Sequence, residues 1–512
     1  MTPFKAPVDD ILFTLRACGA EGLDSWDDDL MTQIAEAFAS FAEAELAPLD
    51  EPSDKQGARF ENGRVRMPDG VRAAIDAYAE QGWCGLTAPE EFGGQGLDGL
   101  ALTITSEIFS GANHAMQMVT GLLPGAIRVL QNFGSDAQQA ALIPELAGGE
   151  RLSTMALTEP GAGSDLGRIR TRATPSGDGW SITGEKIFIS NGDQDIRNKI
   201  LHLVLARTGA ADSGVKGLSL FACLSDRADG SRNPVKVTRI EEKMGLHGSP
   251  TCQMAFDGAE AQLIGEEGAG LKGMFSMMNH ARIGVALQGV AHATRAHAIA
   301  AAYTAERQQG RGADGKPVTL DQHPNLAHML AEARAISLLG RAITHTAVIE
   351  LERGANPALV DFLTPVAKHF CSKGGSRAAD LGMQCLGGYG YLNEYRVEQT
   401  WRDARITRIY EGATAIHALT IAGRMAQSPA GDAFANFWAA RVDPADLAIW
   451  QEGRAALTNP PEQAEDFMAL TEWLLCRALA PLFDGHAGAP AVARYIDRQA
   501  YLGPLSRDRL AG

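Results

Sequence analysis

No stretch of this chain stays apolar long enough to cross a bilayer as a helix, so a membrane-spanning protein is not expected. The opening residues, Met1-Thr2-Pro3-Phe4-Lys5, lack the charged-then-apolar order of a secretory leader. Cysteine is sparse and unpaired in pattern: seven residues, none in a Cys-x-x-Cys arrangement. That predicts reduced thiols, a cytoplasmic location and no zinc site. Basic residues are the scarcer sign, 46 Lys and Arg against 62 Asp and Glu, a net charge of −16. Nucleic acid needs concentrated Lys and Arg, so it is not an expected partner. A local basic pocket for a small anion is still allowed. There is no internal repeat and no low-complexity tract. What remains is a 512-residue chain with 45% hydrophobic and 21% charged residues. Such a chain buries a large core and is expected to divide into about three or four domains or subdomains.

The pattern of elements changes twice along the chain. Residues 1–151 read as mainly helical, with apolar residues at helical spacing in Ala35–Ala47, Leu100–Ser110, Pro124–Phe133 and Ala137–Leu146. From Leu152 short apolar and alternating runs follow one another: Leu152–Leu157, Ile169–Thr174, Trp180–Thr183, Lys186–Ser190, Ile200–Ala206, Gly217–Leu224, Val235–Ile240 and Thr251–Phe256. The cluster Pro175-Ser176-Gly177-Asp178-Gly179 predicts a hairpin turn. Strands in series without helices between them predict an antiparallel barrel or sandwich over 152–264. Long Ala-rich runs then return at Leu271–Arg307, Leu326–Leu351, Leu359–Asp380 and from Thr414 to Met425. They predict a four-helix bundle over 265–425. Residues 426–512 read as a tail of two or three shorter helices, broken at Asn459-Pro460-Pro461 and between Gly485 and Pro490.

Six segments carry candidate chemistry. Arg402 to Ala415 runs through Ile409-Tyr410-Glu411-Gly412, a lone carboxylate followed by the small residues Gly412, Ala413 and Ala415. Small residues let a backbone approach a flat ligand closely. An acidic residue ahead of a helix also suits its N-terminus, so this segment alone admits both readings. Leu157-Thr158-Glu159-Pro160-Gly161-Ala162-Gly163-Ser164-Asp165 is a strand entering a Gly-rich loop, which serves as a tight turn or as a cradle of N–H groups. In Lys186-Ile187-Phe188-Ile189-Ser190-Asn191-Gly192, strand periodicity places Phe188 and Ser190 on one face. Met277-Met278-Asn279-His280-Ala281-Arg282 puts an arginine among apolar neighbours, which favours a buried, partnered charge. Glu306-Arg307-Gln308-Gln309-Gly310 and Gln384-Cys385-Leu386-Gly387-Gly388-Tyr389-Gly390-Tyr391 combine a guanidinium, amides and paired glycines. Arg presents several fixed donors to a diphosphate, and Gly-Gly permits close backbone approach.

Taken in chain order, over about residues 4–425, these segments resemble the acyl-CoA dehydrogenases. Ala88-Pro89-Glu90-Glu91-Phe92-Gly93-Gly94 is similar to a segment of that family's N-terminal domain, and the nonapeptide 157–165 to its signature. Phe4-Lys5-Ala6-Pro7 and Lys243 to Cys252 are similar to the branch that includes methylthiopropionyl-CoA dehydrogenases. The resemblance implies FAD as cofactor. It implies that Leu157, Thr158, Phe188, Ser190, Ala413 and Ala415 lie by the flavin. Arg307, Gln309, Gln384, Gly387 and Gly388 would meet the FAD of a neighbouring subunit. Ser164, Asn279, Arg282 and Gly412 would contact the acyl-CoA. Asn279 stands where many members carry Asp, and Ala413 and Ala415 where many carry Thr and Gly or Gln.

By the same resemblance Glu411 takes the α-proton of a thioester while flavin N5 accepts the β-hydride, giving the 2,3-enoyl-CoA. The thioester oxygen would be held by the Glu411 N–H and a ribityl hydroxyl. A homodimer or homotetramer and an electron-transferring flavoprotein are implied as partners. The alternative within the same chemistry is a flavin-dependent oxidase or monooxygenase acting on a CoA thioester with dioxygen. A DNA-binding relative of the fold is disfavoured by the net charge of −16. A scaffold without catalysis is disfavoured by Glu411 in its place.

Overall fold

The computed structural model describes residues 2–511, with side chains for all of them except 276–278. Two compact units emerge. One comprises Met1–Glu43, Thr103–Ala112 and Ala281–Gly512, and the other Ala44–Leu102 and Asn113–His280.

The second unit is built around seven strands: β1 (Arg151–Ala156), β2 (Arg172–Ser176), β3 (Gly179–Ser190), β4 (Lys199–Arg207), β5 (Leu218–Leu224), β6 (Val235–Ile240) and β7 (Thr251–Ile264). Pairings β4–β2, β2–β3, β3–β7, β7–β5 and β5–β4 close into a ring, with β1 added to β4 and β6 to β7. Large apolar side chains of these strands are buried, among them Ile182, Leu203, Leu220, Phe221 and Phe256. The expected hairpin turn falls between Ser176 and Gly179. Two features differ from a plain antiparallel series. First, β1 and β2 both run parallel to β4, the β2–β3 hairpin returning the chain in the same direction. Second, β7 continues past Phe256 to Ile264. Gly258, at φ +73, takes up the extra residue in a bulge opposite Ile182 and Thr183, so the strand bends instead of ending.

The first unit holds the bundle: α1 (Gly270–Glu306, in this unit from Ala281), α2 (Pro324–Arg353), α3 (Pro357–Leu386) and α4 (Thr414–Thr420). Gly354, at φ +67, caps α2, which runs two residues beyond the Leu351 bound read from the sequence. The tail forms five α-helices, not two or three: α5 (Pro429–Ala439), α6 (Pro444–Ala455), α7 (Pro460–Leu479), α8 (Ala489–Gln499) and α9 (Leu502–Ala511). The reason is proline. Pro429, Pro444, Pro460 and Pro490 occupy first-turn positions, where the missing N–H costs nothing, so they start helices as well as separate them. The tail shares one core with the bundle. Phe362 and Leu363 of α3 pack in the same cluster as Phe434, Trp450 and Phe467. All seven cysteines are free thiols, and no helix among the described residues is long and apolar enough to cross a membrane.

A buried ionic contact ties α3 to α7. His369 Nδ1 lies 2.5 Å from Glu472 Oε1, with Glu465 3.7 Å from the other ring nitrogen. Burial pulls the imidazole down, but Glu472 and Glu465 outweigh it and the net shift is upward. A raised folded-state value means a contribution to stability that is complete below the unfolded value, about 6.5, and fades as pH rises through the folded one. Glu472→Gln should therefore cost about 2 kcal/mol near pH 6 and progressively less in alkali. Denaturation midpoints at the two pH values would check this, and an equal loss at both would refute it.

Candidate active site

Glu411 lies in a short bend between a 3₁₀ turn, Arg405–Arg408, and α4. Its backbone is left-handed, φ +52, and Gly412 follows at φ +89. A non-glycine residue in this region is strained by roughly 1–2 kcal/mol, a cost found most often at functional sites. The helix-capping reading fails on geometry, because the N-cap of α4 is Ala413 and no side chain caps it. Burial lifts the Glu411 carboxyl above its usual range, against the opposing charges of Lys368 and Arg282. A base raised in this way is better matched to proton abstraction near neutrality.

Three side chains of the first unit surround this bend. Lys368 of α3 is fully buried and donates from Nζ to the Gly412 carbonyl at 2.6 Å. Burial brings its ammonium down to about 8. His417 of α4 is buried, and its Nε2 lies 3.2 Å from the Glu411 carbonyl. Burial and nearby cations bring it down to about 3, so the ring is neutral. Nε2 must then carry the hydrogen, since a carbonyl oxygen only accepts. Arg282 of α1 is desolvated, with Asp361 and Glu411 supporting its charge. Lys368 and His417 were not singled out from sequence. Each is a polar group set in an apolar helical run, Pro365-Val366-Ala367-Lys368 and Ala415-Ile416-His417-Ala418, and that was the available signal.

A second group of predicted residues also comes together in this unit. Arg307, Gln309, Gln384, Gly387 and Gly388 line one open cavity of about 510 Å³ with Tyr303 and Tyr389. The Arg307 guanidinium lies 5.9 Å over the Tyr389 ring. A side chain added at Gly387 or Gly388 would meet nothing within 4 Å, so open space lies over both backbones. A guanidinium, two amides and a bare glycine pair around open space fit the diphosphate and nucleotide portion of FAD.

Four of the flavin-facing predictions, Leu157, Thr158, Phe188 and Ser190, fall in the other unit, while Ala413 and Ala415 belong to the first. Phe188 is 60% exposed and left-handed at φ +59, in a bulge where β3 shifts register between Lys186 and Ile189. Strict alternation is thus broken at Phe188. The buried Ile189 still separates the less buried Phe188 and Ser190. A large exposed aromatic on a strained backbone fits a flat ligand better than a core role. Leu157 and Thr158 are half-buried, and their carbonyls accept from Lys186 Nζ at 2.8 Å and Ile187 N–H at 2.9 Å. Lys186 also reaches Glu159 Oε1 at 2.9 Å, which pins the Gly-rich loop to β3. Ser164 is exposed on that loop, and Gly161 and Gly163 have open space around them. Asn279 is half-buried on α1, Gly412 and Ala415 are exposed, and Ala413 is half-buried. Met277 and Met278 of the α1 motif lie outside the described side chains. No cluster of metal-ligating residues occurs among the described residues.

Three family descriptions match the chain in sequence: acyl-CoA dehydrogenase N-terminal domain at 29–150, middle domain at 154–259 and C-terminal domain at 268–426. The chain is 40% identical over 446 residues to a 3-methylmercaptopropionyl-CoA dehydrogenase of Ruegeria pomeroyi, covering 82% of this chain and 76% of that one. Its structure is similar to butyryl-CoA dehydrogenase of Megasphaera elsdenii, with a TM-score of 0.68 and 27% identity, over 78% of this chain and 99% of that one. It also shares its fold with a structure described as Bd2924 apo-form, at a TM-score of 0.77 and 20% identity. That match covers 94% of this chain and 96% of the other.

Proposed function

This chain belongs to the acyl-CoA dehydrogenase family, an FAD-dependent oxidoreductase of acyl-CoA thioesters, and we propose from that premise that Glu411 is its catalytic base. The observation that carries the assignment is the Glu411 carboxyl itself. It is raised by burial, faces two cations and sits on strained backbone. Its task is to remove the weakly acidic α-proton of the thioester. The Glu411 N–H would donate to the thioester oxygen, where negative charge develops as the proton leaves. Arg282 and Ser164 would orient the acyl-CoA, with Asn279 and Gly412 beside it. FAD, when bound, supplies the acceptor for the two electrons released at the β-carbon. Phe188, Ser190, Leu157 and Thr158 would hold the ring system, with Ala413 and Ala415 near it. Arg307, Gln309, Gln384 and the Gly387-Gly388 pair would hold the diphosphate end for a neighbouring subunit.

This arrangement needs at least a homodimer, and a homotetramer satisfies it equally. An electron-transferring flavoprotein would take up the electrons. Seven free thiols fit a reducing, cytoplasmic setting.

The test is anaerobic titration of the FAD-loaded protein with a panel of acyl-CoAs, including 3-methylmercaptopropionyl-CoA and butyryl-CoA, following the visible flavin band. Bleaching by a saturated thioester is the expected result, and slow recovery in air would distinguish a dehydrogenase from an oxidase. A protein that takes up no FAD would overturn the reading. In a companion measurement, Arg307→Ala should weaken FAD retention by about 10- to 100-fold, the worth of a charge-assisted hydrogen bond. Unchanged retention would remove Arg307 from the cofactor site.

A further inference from the structure

Glu411 and Gly412 are consecutive left-handed residues, a conformation that an unrestrained chain with a glutamate side chain seldom holds. Both of their carbonyls are anchored. His417 Nε2–H donates to Glu411 O at 3.2 Å, and Lys368 Nζ donates to Gly412 O at 2.6 Å. The two anchors come from different helices, α4 and α3, and both side chains are buried. The fit is tight, since a Cβ on Gly412 would stand 2.9 Å from the His417 ring. Glycine is therefore required here twice over, by its φ and by the imidazole against it.

We propose that Lys368 and His417 are positioning residues, a two-point clamp that holds the Glu411–Gly412 bend in its left-handed form and so aims the carboxylate. The proposal rests on the reading of Glu411 as the base. Held by one carbonyl alone, the bend could relax about the remaining anchor and swing the carboxylate away, and small displacements of a reacting group are costly. Lys368 has a second effect that His417 lacks. It is a cation beside the Glu411 carboxylate, whereas the His417 ring is neutral. The charged or titratable groups acting on the bend are Lys368 and His369 of α3, Arg282 of α1, Tyr410 before the base and His417 after it. Among these, Lys368 and Arg282 supply the charges that hold the Glu411 carboxyl down.

The test compares Lys368→Met, Lys368→Arg, His417→Leu, His417→Gln and Glu411→Gln in the FAD-loaded enzyme. The Met and Leu variants should lose about 10- to 100-fold in kcat with KM within about threefold. Arg and Gln, which keep a donor, should restore at least part of kcat. Amide hydrogen exchange across 409–414 should accelerate in Met and Leu and not in Arg. The acid limb of the kcat/KM profile should move up by about one pH unit in Lys368→Met alone, because only that variant removes a charge facing Glu411. A purely structural role would not produce that difference between the two variants. Turnover within twofold of the parent in both Met and Leu variants, or identical acid limbs in the two, overturns the clamp. If Lys368→Met does not fold, the His417 pair decides: Leu slows turnover and Gln restores it, or the proposal fails. Near-normal turnover of Glu411→Gln defeats the base assignment itself, a result distinct from failure of the clamp.

Discussion

Glu411→Gln is expected to lower turnover by about three orders of magnitude or more while FAD content stays unchanged. General bases contribute about 10²–10⁴-fold, and the thioester α-proton is a demanding one. Gln keeps the side-chain volume and the left-handed backbone but has no basic oxygen pair, so the loss falls on kcat. The folded protein itself should be as stable as the parent or more so. Burial raises the Glu411 carboxyl, so the folded state favours its neutral form. A raised folded value contributes stability that is present below the unfolded pKa and lost as pH rises through the folded one. Above that raised value the parent carries a desolvated charge that the Gln variant lacks. In the parent, kcat/KM should climb with pH through the raised Glu411 value and then level off, since only the ionised form is a base. Turnover within tenfold of the parent, or a variant that loses FAD along with activity, would remove Glu411 from this role.

Much of the proposed site rests on signals that are local in the sequence. Ile409-Tyr410-Glu411-Gly412 and the loop 157–165 are contiguous, and their chemistry depends on a carboxylate, glycines and hydroxyls close together in the chain. The strand series from Leu152 follows from alternation, a short-range effect. What was missed depends on partners distant in sequence. Lys368 meets Gly412 only because α3 passes the bend; a lysine in the apolar run from Pro365 signals a buried charge but does not name its partner. Glu159 reads as a loop carboxylate, yet it is the counter-charge of the buried Lys186. The number of tail helices is not legible in the sequence because proline signals both a break and a first helical turn, and composition alone does not choose between them. The bulge at Phe188 was invisible for a related reason. The extra residue sits in β3, but where it is taken up depends on the pairing with β7, which is distant in sequence.

The largest expected effect on stability lies away from the base, at Arg341→Met. Arg341 of α2 is fully buried and forks onto Glu107, itself 1% exposed, with Nη2 2.6 Å from Oε1 and Nε 3.0 Å from the same oxygen. Nη2 also donates to Thr294 at 3.0 Å, and Asp10 lies 3.7 Å from Nη1. Burial works against the guanidinium, and Glu107 with Asp10 outweighs it, so the charge is retained. Methionine fills much of the same volume but leaves Glu107 buried without a counter-charge. Breaking such a pair from one side costs about 3–5 kcal/mol, because the remaining carboxylate must stay desolvated or take up a proton. Removing both charges is a different change. In Glu107→Leu with Arg341→Met no unpaired charge remains, and the cost should fall to within about 1 kcal/mol of the parent or reverse sign. The consequence is local as well as global. Glu107 belongs to the segment Thr103–Ala112, which Arg295 also holds by donating to the Gly111 carbonyl at 2.7 Å. Amide exchange in 103–112 should therefore rise in Arg341→Met before the rest of the bundle opens, and return in the double variant. A single variant costing under about 1 kcal/mol, or a double variant as unstable as the single one, would mean that the pair is solvated or relieved in a way its burial does not suggest.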